Sequence, residues 1–173
     1  MTGIRTTDRG VTVHLTGASP DDVDELHVLF AGIVAAGEGY PQDPAEPVTR
    51  ESFLAYWIAP ATAVTVARID GVLAGSWTMK PNGPGRAAHV ANAGYIVDRR
   101  FRGLGVGELL VRHSLEVGPA LGFDALQFNL VFASNPARRL YERLGFEVVG
   151  RVPDVIDGEA VLLYWRRLPP PGA

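Results

Sequence analysis

The sequence has 173 residues, of which 47% are apolar and 20% charged, with a formal net charge of −3 at pH 7 and no cysteine. This composition predicts one soluble domain at 1–168, followed by a flexible proline-rich tail at 169–173. The charge gives no general attraction to nucleic acid or to an anionic membrane, and the lack of cysteine excludes disulfides and cysteine-bound zinc. Because no apolar leader and no membrane-length run is present, we expect a cytoplasmic protein without nucleic-acid or membrane partners.

The first half of the chain alternates between strand-like and helix-like patterns. The predicted elements are, in order, a strand at 11–15, a helix from Ser19 to near Gly37, a helix at 49–57, and strands at 63–69 and 72–79. Period-two and period-3.6 spacing of apolar residues supports these predictions. Asp70-Gly71 is typical of a type I′ hairpin turn. The segment GEGYPQDPAEP at 37–47 is too irregular for a helix or strand, and loops of this kind often lie over sites.

The second half predicts strands and helices in alternation. The elements are, in order, a strand at 87–97, a helix that ends or kinks at Gly118-Pro119, a strand at 125–132, a helix capped by Ser134 or Asn135 near Pro136, and strands at 146–152 and 160–165, separated by Pro153, Asp154, Asp157 and Gly158. Gly94, inside the predicted strand at 87–97, predicts a bulge or a close backbone approach. Asn129 interrupts an apolar run, so we expect a buried amide with a partner or a function. This order predicts one mixed α/β sheet.

A glycine-spaced loop precedes the helix that starts near Val106. Gly103, Gly105 and Gly107 alternate there, which allows a tight turn and leaves N–H groups unobstructed at a positive helix end. This pattern predicts an anion site, with phosphate as the expected ligand. An ordinary strand-to-helix turn with spare glycines is the structural alternative. A P-loop is excluded because no Lys-Ser or Lys-Thr closes the loop, and the spacing is not the Rossmann one.

Two motifs resemble those of the GNAT superfamily of acetyl-CoA-dependent N-acetyltransferases. RGLGVG at 102–107 fits the family's loop pattern of Arg or Gln, two residues, Gly, one residue, and Gly or Ala. NPARRLYERLGF at 135–146 resembles its second motif, an Asn-initiated helix with Leu-Tyr followed by Gly-Phe. The interval from Asn135 to Tyr141 is one residue shorter than usual, so Ser134 is the alternative at the Asn position. HVANAGYIV and the GEGYPQ loop further resemble a branch that includes fungal acetyltransferases of proline analogues such as azetidine-2-carboxylate.

The resemblance implies an α/β fold with a mixed, mostly antiparallel central sheet of about seven strands flanked by about four helices. It also implies acetyl-CoA as the cofactor, with its pantetheine along the splayed edge of the strand that ends at Val97. The pyrophosphate would lie on backbone N–H groups of Arg102, Gly103, Leu104, Gly105, Val106 and Gly107. Asn135 belongs to the same predicted cofactor set, and Arg138 or Arg139 would meet the 3′-phosphate, with a solvated helix face as the alternative for either arginine.

By resemblance, Tyr141 is the general acid that protonates the leaving thiolate, or hydrogen-bonds to it, during direct transfer to an amine. A half-buried packing tyrosine on the apolar face of its helix is the alternative. Asn92 and Asn129 fall on strands that would be neighbours in this fold, where two buried amides would orient the acceptor; amides bonded to backbone are the alternative. Asn92 cannot accept a proton at neutral pH, so the base is either a water chain or His89. Glu38 and Tyr40, on the irregular loop, are candidates for the acceptor pocket, with a solvated loop as the favoured alternative.

The leading functional hypothesis is an enzyme that acetylates the amine of a small molecule, such as an amino or imino acid. A protein N-terminal or lysine acetyltransferase and a non-catalytic acyl-CoA sensor remain the alternatives. The four histidines, His14, His27, His89 and His113, show no metal-ligand spacing, so no metal is expected. The resemblance leaves a homodimer open because dimers are common in such folds, although the sequence does not identify an exposed edge strand.

Overall fold

The computed structural model describes residues 3–170. The strands are β1 (Gly3–Thr6), β2 (Thr12–Gly17), β3 (Ala63–Ile69), β4 (Val72–Pro81), β5 (Val90–Val97), β6 (Ala125–Phe132), β7 (Glu147–Ile156) and β8 (Glu159–Arg167). The helices are α1 (Val23–Ala35), α2 (Arg50–Phe53, continued by a π-helical turn at Leu54–Ile58), α3 (Val106–Val117) and α4 (Arg138–Arg143). The described strands form one sheet in the order β1-β2-β3-β4-β5-β6-β8-β7.

This architecture confirms the predicted mixed α/β sheet with four helices and adds one strand. β1 has only four residues, lies at the sheet edge and is mostly exposed, so it carries no apolar alternation that a sequence pattern could detect. Pro153 and Asp154, expected in a turn, instead lie within β7, and the turn is at Asp157-Gly158. Because β7 is the edge strand beyond β8, a proline there removes no bond from a second neighbour. Of the predicted tail, residues 171–173 lie outside the described residues.

β5 and β6 are parallel and separate along their length. They pair only at Val90 with Ala125 and at Ala91 with Leu126. One position further on, a side chain replaces the main-chain contact, since the Asn92 amide donates to the Gln127 carbonyl at 2.9 Å. The C-terminal halves of the two strands therefore leave a gap in the middle of the sheet.

Two apolar clusters lie on opposite faces of the sheet, and the gap connects those faces. α1 and α2 pack on one face around Phe30, Phe53 and Trp57, which are almost fully buried. α3 and α4 contribute to the second cluster, which includes Leu110 and Trp77. In each cluster helices cover the sheet with apolar side chains, so the strands beside the gap are held from both sides.

Gly75 in β4 positions the end of β5. A Cβ at this position would lie 2.6 Å from the main-chain oxygen of Ile96, which cannot move without shifting β5. We expect Gly75→Ala to lower the free energy of unfolding by about 1–3 kcal/mol. Gly17→Ala in β2 is the matched control, because nothing lies within 4 Å of that Cβ. Denaturant melts of both variants provide the measurement, and equal losses would contradict the steric argument.

Candidate active site

A cleft of about 870 Å³ occupies the gap between β5 and β6 and extends over the loop after α1. The predicted site residues that line it are Glu38, Tyr40, Asn92, Val97, Arg102, Gly107, Asn129, Asn135 and Tyr141. Gly103, Leu104 and Gly105 lie in the adjoining loop and Val106 starts α3, so these four residues are next to the lining rather than in it. Folding therefore brings the two sequence motifs and the irregular loop to one cavity.

The loop at 102–107, called the cradle below, has the geometry of an anion site. Gly103 and Gly105 have φ values of +77° and +83°, a left-handed conformation that glycine adopts without steric cost. The N–H groups of Gly103, Leu104 and Gly105 make no hydrogen bond to another described residue. α3 starts directly after Gly105, so its positive end adds to these free donors. The cradle thus fits a pyrophosphate, and its left-handed glycines form the tight turn expected from the glycine spacing.

Glu38 faces the cradle. Its carboxylate accepts from Arg99 at 2.8 Å and forms a second, short ion pair with Arg102. The Arg102 guanidinium is the main reason that the pKa of Glu38 lies below its usual range, and Arg99 adds to the effect. The structure therefore ties the irregular loop to the phosphate side of the cleft through Glu38, whereas the sequence predicted a place in the acceptor pocket.

We expect Glu38→Gln to raise acetyl-CoA affinity several-fold at low salt, because it removes a carboxylate that competes with the cofactor phosphates for Arg102. The gain should shrink as ionic strength rises. Isothermal titration at two salt concentrations measures both effects. Glu25→Gln is a suitable control because Glu25 pairs with Arg68, away from the cradle. Equal affinities of the wild type and Glu38→Gln would show that the pair does not oppose cofactor binding.

Tyr40 caps the gap-side edge of β5. Its hydroxyl donates to the Tyr95 carbonyl at 2.9 Å. The Asp98 N–H donates to the Ala74 carbonyl, so the main-chain groups of Asp98 point towards β4. Because main-chain groups of successive residues in a strand point to opposite sides, those of Val97 and Tyr95 point towards the gap. Burial raises the pKa of Tyr40 well above its usual value. Tyr40 therefore stays protonated, and its hydroxyl occupies the Tyr95 carbonyl, one of the main-chain acceptors with which an extended ligand would pair.

Gly94 makes the close approach predicted from its place in the strand, and the pairing of β4 with β5 contains no bulge. A Cβ there would lie 3.0 Å from the Trp57 ring and 3.3 Å from the Tyr40 hydroxyl. The glycine thus lets two aromatic residues pack directly against the backbone beside the gap.

Tyr141 lies on α4 with its hydroxyl free. The ring packs against Phe128, Phe146 and Tyr164 at centroid distances of 4.7, 5.9 and 5.8 Å. Within residues 3–170 its hydroxyl has no hydrogen-bond partner, although its neighbours hold the ring in place. Burial raises the pKa of Tyr141 to about 12, with the nearby Tyr164 contributing less. The hydroxyl is therefore a protonated donor available to a ligand in the cleft.

Asn92 and Asn129 both reach the cleft, but Asn129 is exposed, not buried as expected. The separation of β5 from β6 explains the difference, since the strand is uncovered on that side. Asn129 accepts from the Gln127 amide and donates to the side-chain oxygen of Asn82. The amide side chains thus form a fixed polar rim, with Asn92 held by the Gln127 carbonyl at its inner end.

The start of α4 differs from the prediction. The helix begins at Arg138 with Ala137 as its N-cap, so neither Ser134 nor Asn135 caps it. Asn135 instead accepts from the Ala137 N–H at 2.9 Å, a local turn that uses the oxygen a cap would need. Arg138 donates to the Ala133 carbonyl at 2.6 Å and to the Tyr164 hydroxyl at 3.2 Å, outside the cleft lining. In this conformation its guanidinium supports the fold beside the site.

His89 does not reach the cleft. It is exposed at the start of β5, and its Nδ1 lies 2.8 Å from the Arg86 carbonyl.

Glu38 is the one carboxylate among the described residues that line the cleft, and it is ion-paired. Residues 3–170 also contain no cluster of three or more His, Asp or Glu side chains suited to a metal.

Sequence reasoning missed three residues on the other side of the gap from Tyr141: Tyr56, Lys80 and Asn82 line the cleft there. Tyr56 and Asn82 carry no distinctive sequence signal. Lys80 does, because it is the only lysine in the sequence and every other Lys/Arg position is arginine.

A split sheet with a phosphate cradle on one strand end and a free tyrosine hydroxyl across the gap defines the class of acyl-CoA-dependent acyltransferases. The chain belongs to the Acetyltransferase (GNAT) family, whose model matches residues 30–146. A GCN5-related N-acetyltransferase from Kribbella flavida has 35% identity and a TM-score of 0.83, covering 90% of this chain and 98% of that one. The prediction of a GNAT acyltransferase that uses acetyl-CoA is thereby confirmed.

Curated relatives extend the comparison. L-amino acid N-acetyltransferase AaaT of Escherichia coli is 33% identical over 109 residues, 61% of this chain and 67% of that protein. N-acetyltransferase aca1 of Schizosaccharomyces pombe is 40% identical over 99 residues, 56% of this chain. The match spans 47% of the aca1 length, so it covers less than half of that relative. These similarities do not establish the proline-analogue branch. No described helix has the length and apolarity needed to cross a membrane.

Proposed function

We propose that the protein moves an acetyl group from acetyl-CoA directly to the amine of a small molecule, such as an amino or imino acid. The observation that carries this proposal is the free, protonated hydroxyl of Tyr141 in a cleft that is continuous with the cradle. The similarity to AaaT, named for L-amino acids, supports an acceptor of this size and chemistry.

The cradle and β5 would hold the donor. Free N–H groups at 103–105 and the positive end of α3 suit the pyrophosphate, and the gap-side main chain of β5 suits the extended pantetheine. Acetyl-CoA supplies a thioester carbonyl and a thiolate leaving group. Tyr141 donates its proton to that thiolate, and no covalent intermediate on the protein is needed.

The acceptor amine must lose a proton to become a nucleophile and must lie within reach of the thioester. No unpaired carboxylate and no imidazole lines the described part of the cleft. We therefore assign proton removal to water and the orientation of the amine to Asn92 and Asn129. The free side-chain oxygen of Asn92 would accept from the amine, because its Nδ2 is already bonded to Gln127.

A small acceptor fits better than a peptide. The loop at 37–47 is held at two points, by Glu38 to two arginines that follow β5 and by Tyr40 to β5 itself. A bound peptide would need an open groove, which these contacts oppose. This is why we rank protein N-termini and lysine side chains below free amino compounds as acceptors.

Release of free thiol from acetyl-CoA tests the proposal. The panel contains L-amino and imino acids, simple amines and lysine-containing peptides. Acceptor-dependent release with the small compounds is expected. Robust turnover of peptides alone would favour a protein acetyltransferase. Binding of acetyl-CoA without release for any acceptor would identify a non-catalytic sensor instead.

A further inference from the structure

Lys80 is an unpaired cation in the cleft. The charged residues that line it within residues 3–170 are Glu38, Lys80 and Arg102. Glu38 and Arg102 bind each other, whereas Lys80 forms no ion pair with a described residue. It is also the chain's single lysine. A half-buried positive charge without a carboxylate loses hydration that a contact with the Tyr56 ring replaces only in part.

The position of Lys80 places it on the acceptor side. It pairs directly with Asn92 across β4 and β5, so the two side chains project from the same face of the sheet. Its ammonium lies 5.4 Å from the centroid of the Tyr56 ring, on the α2 segment that covers this face. Tyr141 packs in the cluster on the opposite face. The ammonium is thus separated from the acid by the gap in which transfer takes place.

The neighbouring groups add hydrogen-bond donors rather than negative charge. The Asn82 oxygen accepts from Asn129, which leaves the Asn82 amide N–H groups without a partner among the described residues. Lys80 lies near the end of β4 and Asn82 follows that strand, and both residues line the cleft. A positive charge with free N–H groups beside it is suited to a carboxylate.

We propose that Lys80 binds the carboxylate of the acceptor and so selects amino and imino acids over amines that lack this group. The inference rests on the proposed function and adds the residue that determines specificity. With its carboxylate at Lys80, an α-amino acid directs its amine towards Asn92 and the gap. A compact ammonium suits this confined position beside Tyr56 better than the wider, planar guanidinium that the chain uses elsewhere.

The first test compares Lys80→Met with the wild type on matched acceptors, L-proline with L-prolinamide and L-alanine with L-alaninamide. Loss of a charge-assisted hydrogen bond should raise KM for the acids roughly 10- to 100-fold, with a smaller change in kcat. KM for the amides should stay within about 2-fold, since they carry no charge for Lys80 to bind. Lys80→Arg should keep part of the preference for acids. Equal KM increases for acids and amides would overturn the proposal and give Lys80 a structural role.

Arg86→Met is the matched control. Arg86 is an exposed cation between β4 and β5 that does not line the cleft. Arg86→Met changes the net charge by the same amount as Lys80→Met, so a general electrostatic effect on acidic acceptors would appear in both variants. A KM increase of similar size in Arg86→Met would also overturn the assignment to Lys80.

A second test does not depend on turnover. Reductive methylation with ¹³C-formaldehyde labels only the Lys80 ammonium and the chain's terminal amine, and it retains the positive charge. In the presence of CoA, L-proline should shift the Lys80 signal while L-prolinamide leaves it in place, with the terminal signal as internal reference. No shift with L-proline would refute the proposal. A wild type that releases no thiol with any amine yet shows this shift would refute the proposed catalysis alone.

Discussion

Tyr141→Phe is expected to lower kcat by roughly 10²- to 10⁴-fold, the range typical for removing a general acid. The ring contacts with Phe128, Phe146 and Tyr164 are retained, and the lost hydroxyl had no described protein partner. The dissociation constant for acetyl-CoA should therefore stay within about 2-fold, because truncation leaves no unpaired protein group behind. Stopped assays of thiol release and isothermal titration measure the two quantities. An unchanged kcat would remove Tyr141 from the acid role.

Tyr164→Phe is the control for this variant. The Tyr164 hydroxyl accepts from Arg138 and donates to Glu142 at 2.8 Å, so its removal breaks two hydrogen bonds that tie β8 to α4. We expect a loss of stability without a comparable loss of kcat. If both variants lost activity equally, the effect would be one of α4 packing rather than of proton transfer.

The raised pKa of Tyr141 also predicts a pH dependence of stability. The unfolded tyrosine ionises near its ordinary pKa of about 10, whereas the folded one keeps its proton up to about 12. Its contribution is fully present below pH 10 and is lost as pH rises towards 12. Tyr141→Phe should show a shallower loss of stability over this interval in urea melts. A wild-type slope no steeper than that of the variant would contradict the role of burial.

Gly103→Val is expected to weaken acetyl-CoA binding at least about 10-fold, because a β-branched residue resists the left-handed conformation and crowds the free N–H groups. The residue has a φ of +77°, and nothing lies within 4 Å of a Cβ there, so the folded chain has room for the side chain. Strain should lower the free energy of unfolding by about 1–3 kcal/mol. Titration with acetyl-CoA and denaturant melts give the two numbers.

Gly122→Val separates strain from binding. Gly122 follows α3 with a φ of +89° and equally open surroundings, but it lies away from the cradle. It should lose similar stability and keep normal affinity for acetyl-CoA. Equal losses of affinity in the two variants would mean that the cradle glycines act through general stability only.

Short-range features were predictable because neighbouring residues alone determine them. Asp70-Gly71 formed the expected turn with φ values of +50° and +81°, since its conformation depends on those two residues. The cradle glycines behaved in the same way. The prediction of the α4 cap was wrong although a cap is a local feature. The Asn135 side-chain oxygen could either cap the helix or accept from the Ala137 N–H in a local turn, and a sequence pattern does not rank these two bonds.

The sequence by itself determined the residues of the proposed donor side, because the glycine-rich turn, the adjoining helix and Tyr141 stand in contiguous motifs. Only the tertiary structure decided which residues form the proposed acceptor side. Glu38 meets Arg102, Lys80 faces Asn92, and Tyr40 reaches Tyr95 across 55 positions of sequence. Such pairs depend on which strands become neighbours and where they separate. Because long-range packing fixes that geometry, the sequence marked Lys80 as the single lysine, but only the structure placed it beside Asn92 at the gap.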